Sequence, residues 1–335
     1  MSNGYRFDFS LKSERIQGRR SMTEQYFIGI DVSKDNLDVF IHPEGAYRRY
    51  ANTRAGRKTL LSDIGGRPVA LVVFEATGGY ERALRQTLAN ESLPHACVQP
   101  MRVRHFMEAQ GRKAKTDRLD ARALALFAAA GMTAPSAALD EDRLALRDLT
   151  RTLTFVRKQI STLKCQMEKM GEKGGGTKAL AKLLRASEEQ EQALLKAIEK
   201  HIWSAKDLKA LIDLLASMPG VGFYTACVLI AELPELGACS KAEIAALTGT
   251  APFTRESGKR KGQAAIKGGR HHARKALYMA AVTAMRFNPA FKDAYQDMRK
   301  RGKCFKVAIT ALMRKMVVAL NAMVKKNQPW EQFYA

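Results

Sequence analysis

Residues 26–41 read Tyr26-Phe27-Ile28-Gly29-Ile30-Asp31-Val32-Ser33-Lys34-Asp35-Asn36-Leu37-Asp38-Val39-Phe40-Ile41. Tyr26 to Asp31 is an apolar run suited to a buried strand, and Leu37 to Ile41 reads as a second strand after a short polar turn. Arg48 to Asn52 continues as a third. An amphipathic segment comes next around Arg57–Ile64, then a strand over Val69–Glu75, stopped by Gly78-Gly79. A helix through Ala83, Leu84 and Leu88, a strand at Ala96–Gln99 and a helix near Val103–Ala109 complete the pattern. Three early strands followed by alternating helix and strand predict a mixed sheet flanked by helices.

The remainder of the 335 residues changes character. Leu149, Leu153, Val156, Ile160, Leu163, Met167 and Met170 are spaced by alternating steps of four and three, the seam of a heptad repeat. Gly174-Gly175-Gly176 interrupts it, and Leu180, Leu184, Leu194 and Ile198 resume a looser seam. Residues 140–203 therefore read as a helical hairpin or antiparallel coiled coil, packed within one protomer or joining two. From Leu208 onward the pattern is helical, broken by Pro219-Gly220-Val221-Gly222 and by a loop from Gly249 to Gly269. The first break is either a plain turn or a hairpin whose backbone N–H groups meet a phosphate.

Lys and Arg number 56 against 33 Asp and Glu, a formal charge of +23 that suits a polyanionic partner. A hydrophobic share of 46% with 27% charged residues marks a folded rather than a disordered chain. Apolar runs such as Val69–Phe74 fall far short of the roughly 20 residues of a spanning helix, and no secretory leader pattern opens the chain. No membrane partner is expected. The five cysteines (Cys97, Cys165, Cys227, Cys239, Cys304) lack CxxC spacing, which argues against a zinc ribbon or a disulfide framework.

Four carboxylates stand out. Asp31 ends the first strand, where a charge among Ile28, Ile30 and Val32 is costly unless paired or bound to metal. Glu75 ends the Val69–Phe74 strand in the same way. Asp117 and Asp120 are three apart and share one helix face. Singly they read as a turn residue, a strand-end charge and a helix cap. Together they form a set able to hold two Mg²⁺ ions for in-line phosphodiester chemistry, since Mg²⁺ prefers oxygen ligands. Arg112, Lys113, Lys115, Arg118 and Arg122 lie around the acidic pair and would hold a nucleic-acid backbone.

A second concentration lies in Arg255-Glu256-Ser257-Gly258-Lys259-Arg260-Lys261-Gly262. Eight Lys or Arg and one acidic residue fall between Arg255 and Lys275, with His271 and His272 added. Ser257 reads either as a hydroxyl on a phosphate in a basic loop or as a nucleophile activated by nearby cations. Arg255, Lys259, Arg260, Lys261, Lys267, Arg270, His271 and Arg274 are candidate nucleic-acid contacts.

Taken in order, Gly29-Ile30-Asp31-Val32-Ser33-Lys34, Glu75-Ala76-Thr77-Gly78, Lys115-Thr116-Asp117-Arg118-Leu119-Asp120-Ala121, Pro219-Gly220-Val221-Gly222, Gly249-Thr250-Ala251-Pro252, Ser257-Gly258-Lys259 and Arg274-Lys275-Ala276-Leu277-Tyr278-Met279 resemble the DEDD transposases of bacterial insertion sequences. This is the insertion-sequence one-hundred-and-ten family of bridge-RNA-guided recombinases, related to Piv-type DNA invertases. The resemblance covers roughly Tyr26 to Trp330. It implies a tail over 1–21, an α/β RNase H-like (RuvC-like) DEDD domain over 22–135, a coiled-coil or helical hairpin over 136–205, and a mostly α C-terminal transposase domain over 206–335. It further implies that Asp31, Glu75, Asp117 and Asp120 are catalytic and bind Mg²⁺, or Mn²⁺ in its place. Ser257 would be the catalytic serine, forming a phosphoserine link to DNA. Donor and target DNA, a structured non-coding RNA and a homo-oligomer of two to four chains are the implied partners, in a cytoplasmic, nucleoid-associated setting. Three alternatives are a RuvC-like Holliday-junction resolvase without serine chemistry, a non-catalytic DNA- or RNA-binding protein, and an actin-like ATPase, whose first phosphate loop Gly29–Lys34 also resembles.

Overall fold

The computed structural model describes residues 25–111, 116–136, 140–170, 175–254, 256–257, 260–261 and 265–331, with the backbone alone at 175, 256, 257, 260 and 261. The chain divides into two units, 1–138 and 139–335.

The first unit is built on a five-stranded sheet in the order β3-β2-β1-β4-β5. β1 (Tyr26–Val32), β2 (Asn36–His42) and β3 (Ala46–Ala51) form an antiparallel meander, while β4 (Val69–Glu75) and β5 (His95–Val98) run parallel to β1. This mixed sheet with a helical C-terminal part is compatible with an RNase H-like N-terminal domain, as expected. Alternation along the strands separates two cores. Ile28, Ile30, Val72 and Phe74 pack with Leu60 and Ile64 of α1 (Arg54–Ile64) and with Leu84 and Leu88 of α2 (Arg82–Asn90). On the other face, Leu71, Val73, Ala96 and Val98 meet Val103 of α3 (Pro100–Ala109) and Leu124, Phe127 and Ala128 of α4 (Asp117–Ala129).

Gly29 fixes how close α4 comes. A Cβ on Gly29 would lie 2.0 Å from the Ala121 carbonyl oxygen and 2.4 Å from the Ala125 nitrogen. The backbones therefore touch where any side chain would wedge them apart. Ala121 and Ala125, both fully buried, supply the matching small residues on α4.

The second unit is helical around one core. α5 (Glu141–Lys169) and α6 (Gly175–Ser204) are joined by Arg157–Glu191 at 2.7 Å and Lys164–Glu188 at 2.9 Å. As the numbers rise on one helix they fall on the other, so the pair is antiparallel, a helical hairpin. Burial along the α5 seam is uneven: Leu153 and Ile160 are buried, whereas Leu163, Met167 and Met170 are half-exposed. α7 (Lys206–Ala216), α8 (Phe223–Glu232), α9 (Lys241–Leu247), α10 (His271–Phe287), α11 (Pro289–Lys300) and α12 (Phe305–Lys326) complete the unit. α12 is long and apolar enough by length and composition to cross a membrane, but Leu312, Met316, Val317 and Leu320 are buried in the core among these helices.

Two expectations change. The turn at Pro219-Gly220 is packed inward: Gly220, at φ +106°, lies where a Cβ would meet Ala284 of α10 at 2.6 Å, and the Asn288 amide donates to the Pro219 carbonyl at 3.3 Å. The stretch from Gly249 to Gly269, read as a loop, carries two nested antiparallel pairs. β6 (Pro252–Phe253) pairs with β9 (Ala265–Ile266), and β7 (Glu256–Ser257) pairs with β8 (Arg260–Lys261). Strands of two residues show no alternation for a sequence reading to find.

Gly29→Ala is expected to destabilise the first unit by about 1–3 kcal/mol or more, the cost of forcing atoms into a packed core. Denaturant unfolding followed by circular dichroism measures it; an unchanged midpoint would mean that α4 does not need the contact.

Candidate nucleic-acid-processing site

The carboxylates gather because of strand parity and the Gly29 contact. Ile30 of β1 is in register with Phe74 of β4, so Asp31 and Glu75 each come directly after a paired residue on neighbouring parallel strands. Both belong to the same alternating set as Gly29 and Val73, whose face carries α3 and α4. Ala121 and Ala125 of α4 lie over Gly29, which leaves the first turn of α4, with Asp117 and Asp120, toward the Asp31 end. Thr116 caps that turn by accepting from the Leu119 N–H at 3.3 Å.

Electrostatics bear this out. Burial, followed by the charges of Asp120, Asp117 and Asp38, raises the Asp31 carboxyl above its ordinary value. Three negative charges thus crowd a half-buried fourth. Asp38 is the residue that sequence reasoning missed. It pairs with Asp31 across β1 and β2, and is buried, 3% exposed. Its signal was present, because Asp38 interrupts an apolar strand as Asp31 does. Asp38 accepts from the Tyr47 hydroxyl and from Arg49 Nε at 2.7 Å, and Arg49 Nη2 donates on to Asp117 at 2.9 Å. Arg118 lies over the Tyr47 ring at 5.6 Å.

The loops beyond the two strand ends are tied together. The Asn52 amide donates to the Ser33 carbonyl at 2.9 Å and the Tyr80 carbonyl at 3.2 Å. Glu81 accepts from the Thr77 and Gly79 N–H groups at 3.1 and 2.8 Å. Burial works to raise the Glu81 carboxyl, but these backbone donors hold it below its usual value.

Hard oxygen donors crowded with like charge suit a divalent cation of the Mg²⁺ type. Asp31, Asp117 and Asp120 fit that chemistry, with Glu75 at the adjoining strand end. Among the described residues, no three His, Cys, Asp or Glu side chains are drawn tightly enough to hold an ion as they stand.

The second unit places Ser257 on β7, in register with Arg260 of β8. Arg112, Lys113, Lys115, Arg255 and Lys259 lie outside the described residues, as do the side chains of Ser257, Arg260 and Lys261. At the base of the ribbon, Lys267 and His271 are exposed. Arg274 donates to the Gly268 carbonyl. Arg270 makes a two-pronged pair with Glu235, 2.6 Å on each arm, and also donates to the Glu232 carbonyl at 2.6 Å. This ties α10 to the α8–α9 connection, so its geometry is that of a brace for the ribbon's base rather than of a free phosphate contact.

The raised Asp31 carboxyl has a sign that can be tested without substrate. Its contribution to stability is fully present below the unfolded carboxyl value of about 3.9 and is lost as pH rises through the higher folded value. In EDTA at pH 7, Asp31→Asn is expected to unfold at a higher temperature than the parent, with the gap closing below about pH 3.9. A lower midpoint for Asp31→Asn at pH 7 would contradict the crowding.

Comparisons with known proteins observe the same division. A family model of DEDD-type IS110 transposases matches residues 28–170, from β1 to the end of α5. A model described as the IS116/IS110/IS902 transposase family matches residues 212–296, from α7 to α11. A 43.6 kDa protein of insertion element IS110 from Streptomyces coelicolor is 33% identical over 155 residues, 46% of this chain and 37% of its own. The chain thus spans little more than a third of that relative. The pilin gene-inverting protein of Moraxella bovis is 23% identical over 324 residues, 91% of this chain and 98% of its own. With both models matched in order and a relative aligned along nearly the whole length, the chain belongs to the IS110 family of DEDD transposases.

Proposed function

We propose that the protein cuts and rejoins DNA strands during movement or inversion of a DNA segment, with Asp31, Glu75, Asp117 and Asp120 as its metal-binding carboxylates and Ser257 as its nucleophile. The observation that carries this reading is the crowding of Asp31, Asp117 and Asp120 at one end of the sheet, in a chain of a transposase family. Mg²⁺, or Mn²⁺ in its place, would there polarise a scissile phosphate and favour ionisation of an attacking hydroxyl. The near-complete alignment with a gene-inverting protein supports recombination over hydrolysis, because inversion must rejoin every strand that it cuts.

The serine step conserves a bond. The Ser257 oxygen attacks phosphorus, one P–O bond to the departing sugar breaks, and the serine proton leaves with the sugar oxygen. One phosphodiester becomes another, and reversal onto a new sugar hydroxyl completes the exchange. Arg255, Lys259, Arg260 and Lys261 would balance charge on the phosphoryl group, and Arg118, Lys267, His271 and Arg274 would contact the backbone. Arg112, Lys113 and Lys115 precede α4 in sequence, and a backbone held there would lie beside the acidic turn. A structured non-coding RNA would select donor and target DNA. Two to four copies of the chain, associated through the α5–α6 hairpin as a coiled coil, would bring carboxylates and serine together. The protein would act in the cytoplasm on the nucleoid.

Trapping with labelled DNA and guide RNA, followed by denaturing gel and peptide mass spectrometry, is expected to find DNA joined to Ser257. Ser257→Ala should bind DNA yet give neither adduct nor product; recombination at the parent rate would leave Ser257 as a phosphate contact. Asp31→Asn should abolish cleavage while binding survives, and undiminished cleavage would remove Asp31 from the site. Replacing Lys259, Arg260 and Lys261 together should flatten the log–log salt dependence of duplex binding by roughly 2.7, about 0.9 for each phosphate released. An unchanged slope would place these three away from DNA.

A further inference from the structure

Arg49 joins two carboxylates of very different surroundings. Its Nε meets Asp38 at 2.7 Å, and Asp38 has only 4% of its side chain exposed. Its Nη2 meets Asp117 at 2.9 Å, and Asp117 is 64% exposed at the start of α4. Arg49 stands on β3 directly opposite Asp38 on β2, and Tyr47, two residues earlier on the same face, gives Asp38 its second donor. Sheet register therefore anchors the guanidinium before it reaches α4.

We propose that Arg49, held by Asp38 and Tyr47, is a positioning residue that fixes the Asp117 carboxylate for the metal site; this rests on the proposed role of Asp117. The energetics favour this purpose over stabilisation. An ion pair as exposed as Arg49–Asp117 contributes about 0–1 kcal/mol, because water screens it and two side chains lose freedom. What the contact does supply is direction. Asp117 heads the first turn of α4, next to the residues at 112–115, and an exposed carboxylate there would otherwise sample several rotamers. One of its oxygens is engaged by a planar, rigid donor, which turns the carboxylate while leaving its other oxygen for an ion. Outer partners of this kind orient carboxylate ligands and change metal affinity by about 10- to 100-fold when removed.

Charge must be controlled in the test. Removing Arg49 alone would leave Asp38 buried and unbalanced, and the added negative charge would attract cations for an unrelated reason. Asp38→Asn/Arg49→Ala removes one negative and one positive charge together. Mn²⁺ is titrated into the full chain and free ion is monitored by electron paramagnetic resonance. Far-UV circular dichroism and the unfolding midpoint are recorded on each variant. The parent should bind Mn²⁺, Asp31→Asn should lose that binding, and Asp38→Asn/Arg49→Ala should bind about 10-fold more weakly with secondary structure intact. Arg49→Lys, which keeps the charge but not the fork, should lie between and serves where the double variant does not fold. Parent-like Mn²⁺ affinity in Arg49→Lys and in the folded double variant, beside loss in Asp31→Asn, would overturn the positioning role alone. Parent-like affinity in Asp31→Asn would overturn the metal site and the positioning role together.

Discussion

The contact between β1 and α4 at Gly29 is the constraint on which the first unit depends. Backbone touches backbone there, and a single methyl group would place a carbon 2.0 Å from a carbonyl oxygen. Because α4 is pressed so closely onto the sheet, its first turn comes to the end of β1 instead of standing off by a side chain's length. Core packing and the gathering of charge are thus one event. The same contact that buries Ala121 and Ala125 brings Asp117 and Asp120 toward Asp31.

Such a gathering opposes folding. Negative charges around a half-buried carboxylate repel one another, and nothing in the apolar cores requires them. Arg49 offsets the charge on one side only, through Asp38 and Asp117. Local order is instead supplied by uncharged ties, with Asn52 linking the segments after β1 and β4 and Glu81 closing the turn beyond Glu75. A site strained in this way, on rigid strand ends and a capped helix, is the kind of place where a cation gains most and moves least. In the second unit, a two-pronged pair between Arg270 and Glu235 steadies the base of the ribbon that carries Ser257.

Much of the first unit was legible in the sequence between Tyr26 and Ala109. Period-two runs located the five strands to within a few residues, since a strand buried on one face must alternate. Asp31 and Glu75 were conspicuous because each ends an apolar run. Asp38 obeys the same rule, but it sits inside its strand, and its partners Tyr47 and Arg49 lie on a third strand that only the register brings opposite. The role of Arg270 was hidden for a related reason: among eight basic residues, sequence cannot tell the one that finds Glu235, 35 positions away. The ribbon around Ser257 escaped because its strands are two residues long, and α11 was merged with its neighbours because Asn288-Pro289 separates it from α10 by a single corner.

The account stands on one cation site formed by Asp31, Asp117 and Asp120. Anomalous diffraction at the manganese edge, from crystals of the full chain soaked in MnCl₂, tests it most directly. The prediction is a peak among these three carboxylates, roughly 2.1 Å from an oxygen of Asp31 and of at least one of the α4 pair. A fully soaked crystal with manganese bound elsewhere and no density between Asp31 and α4 would contradict it.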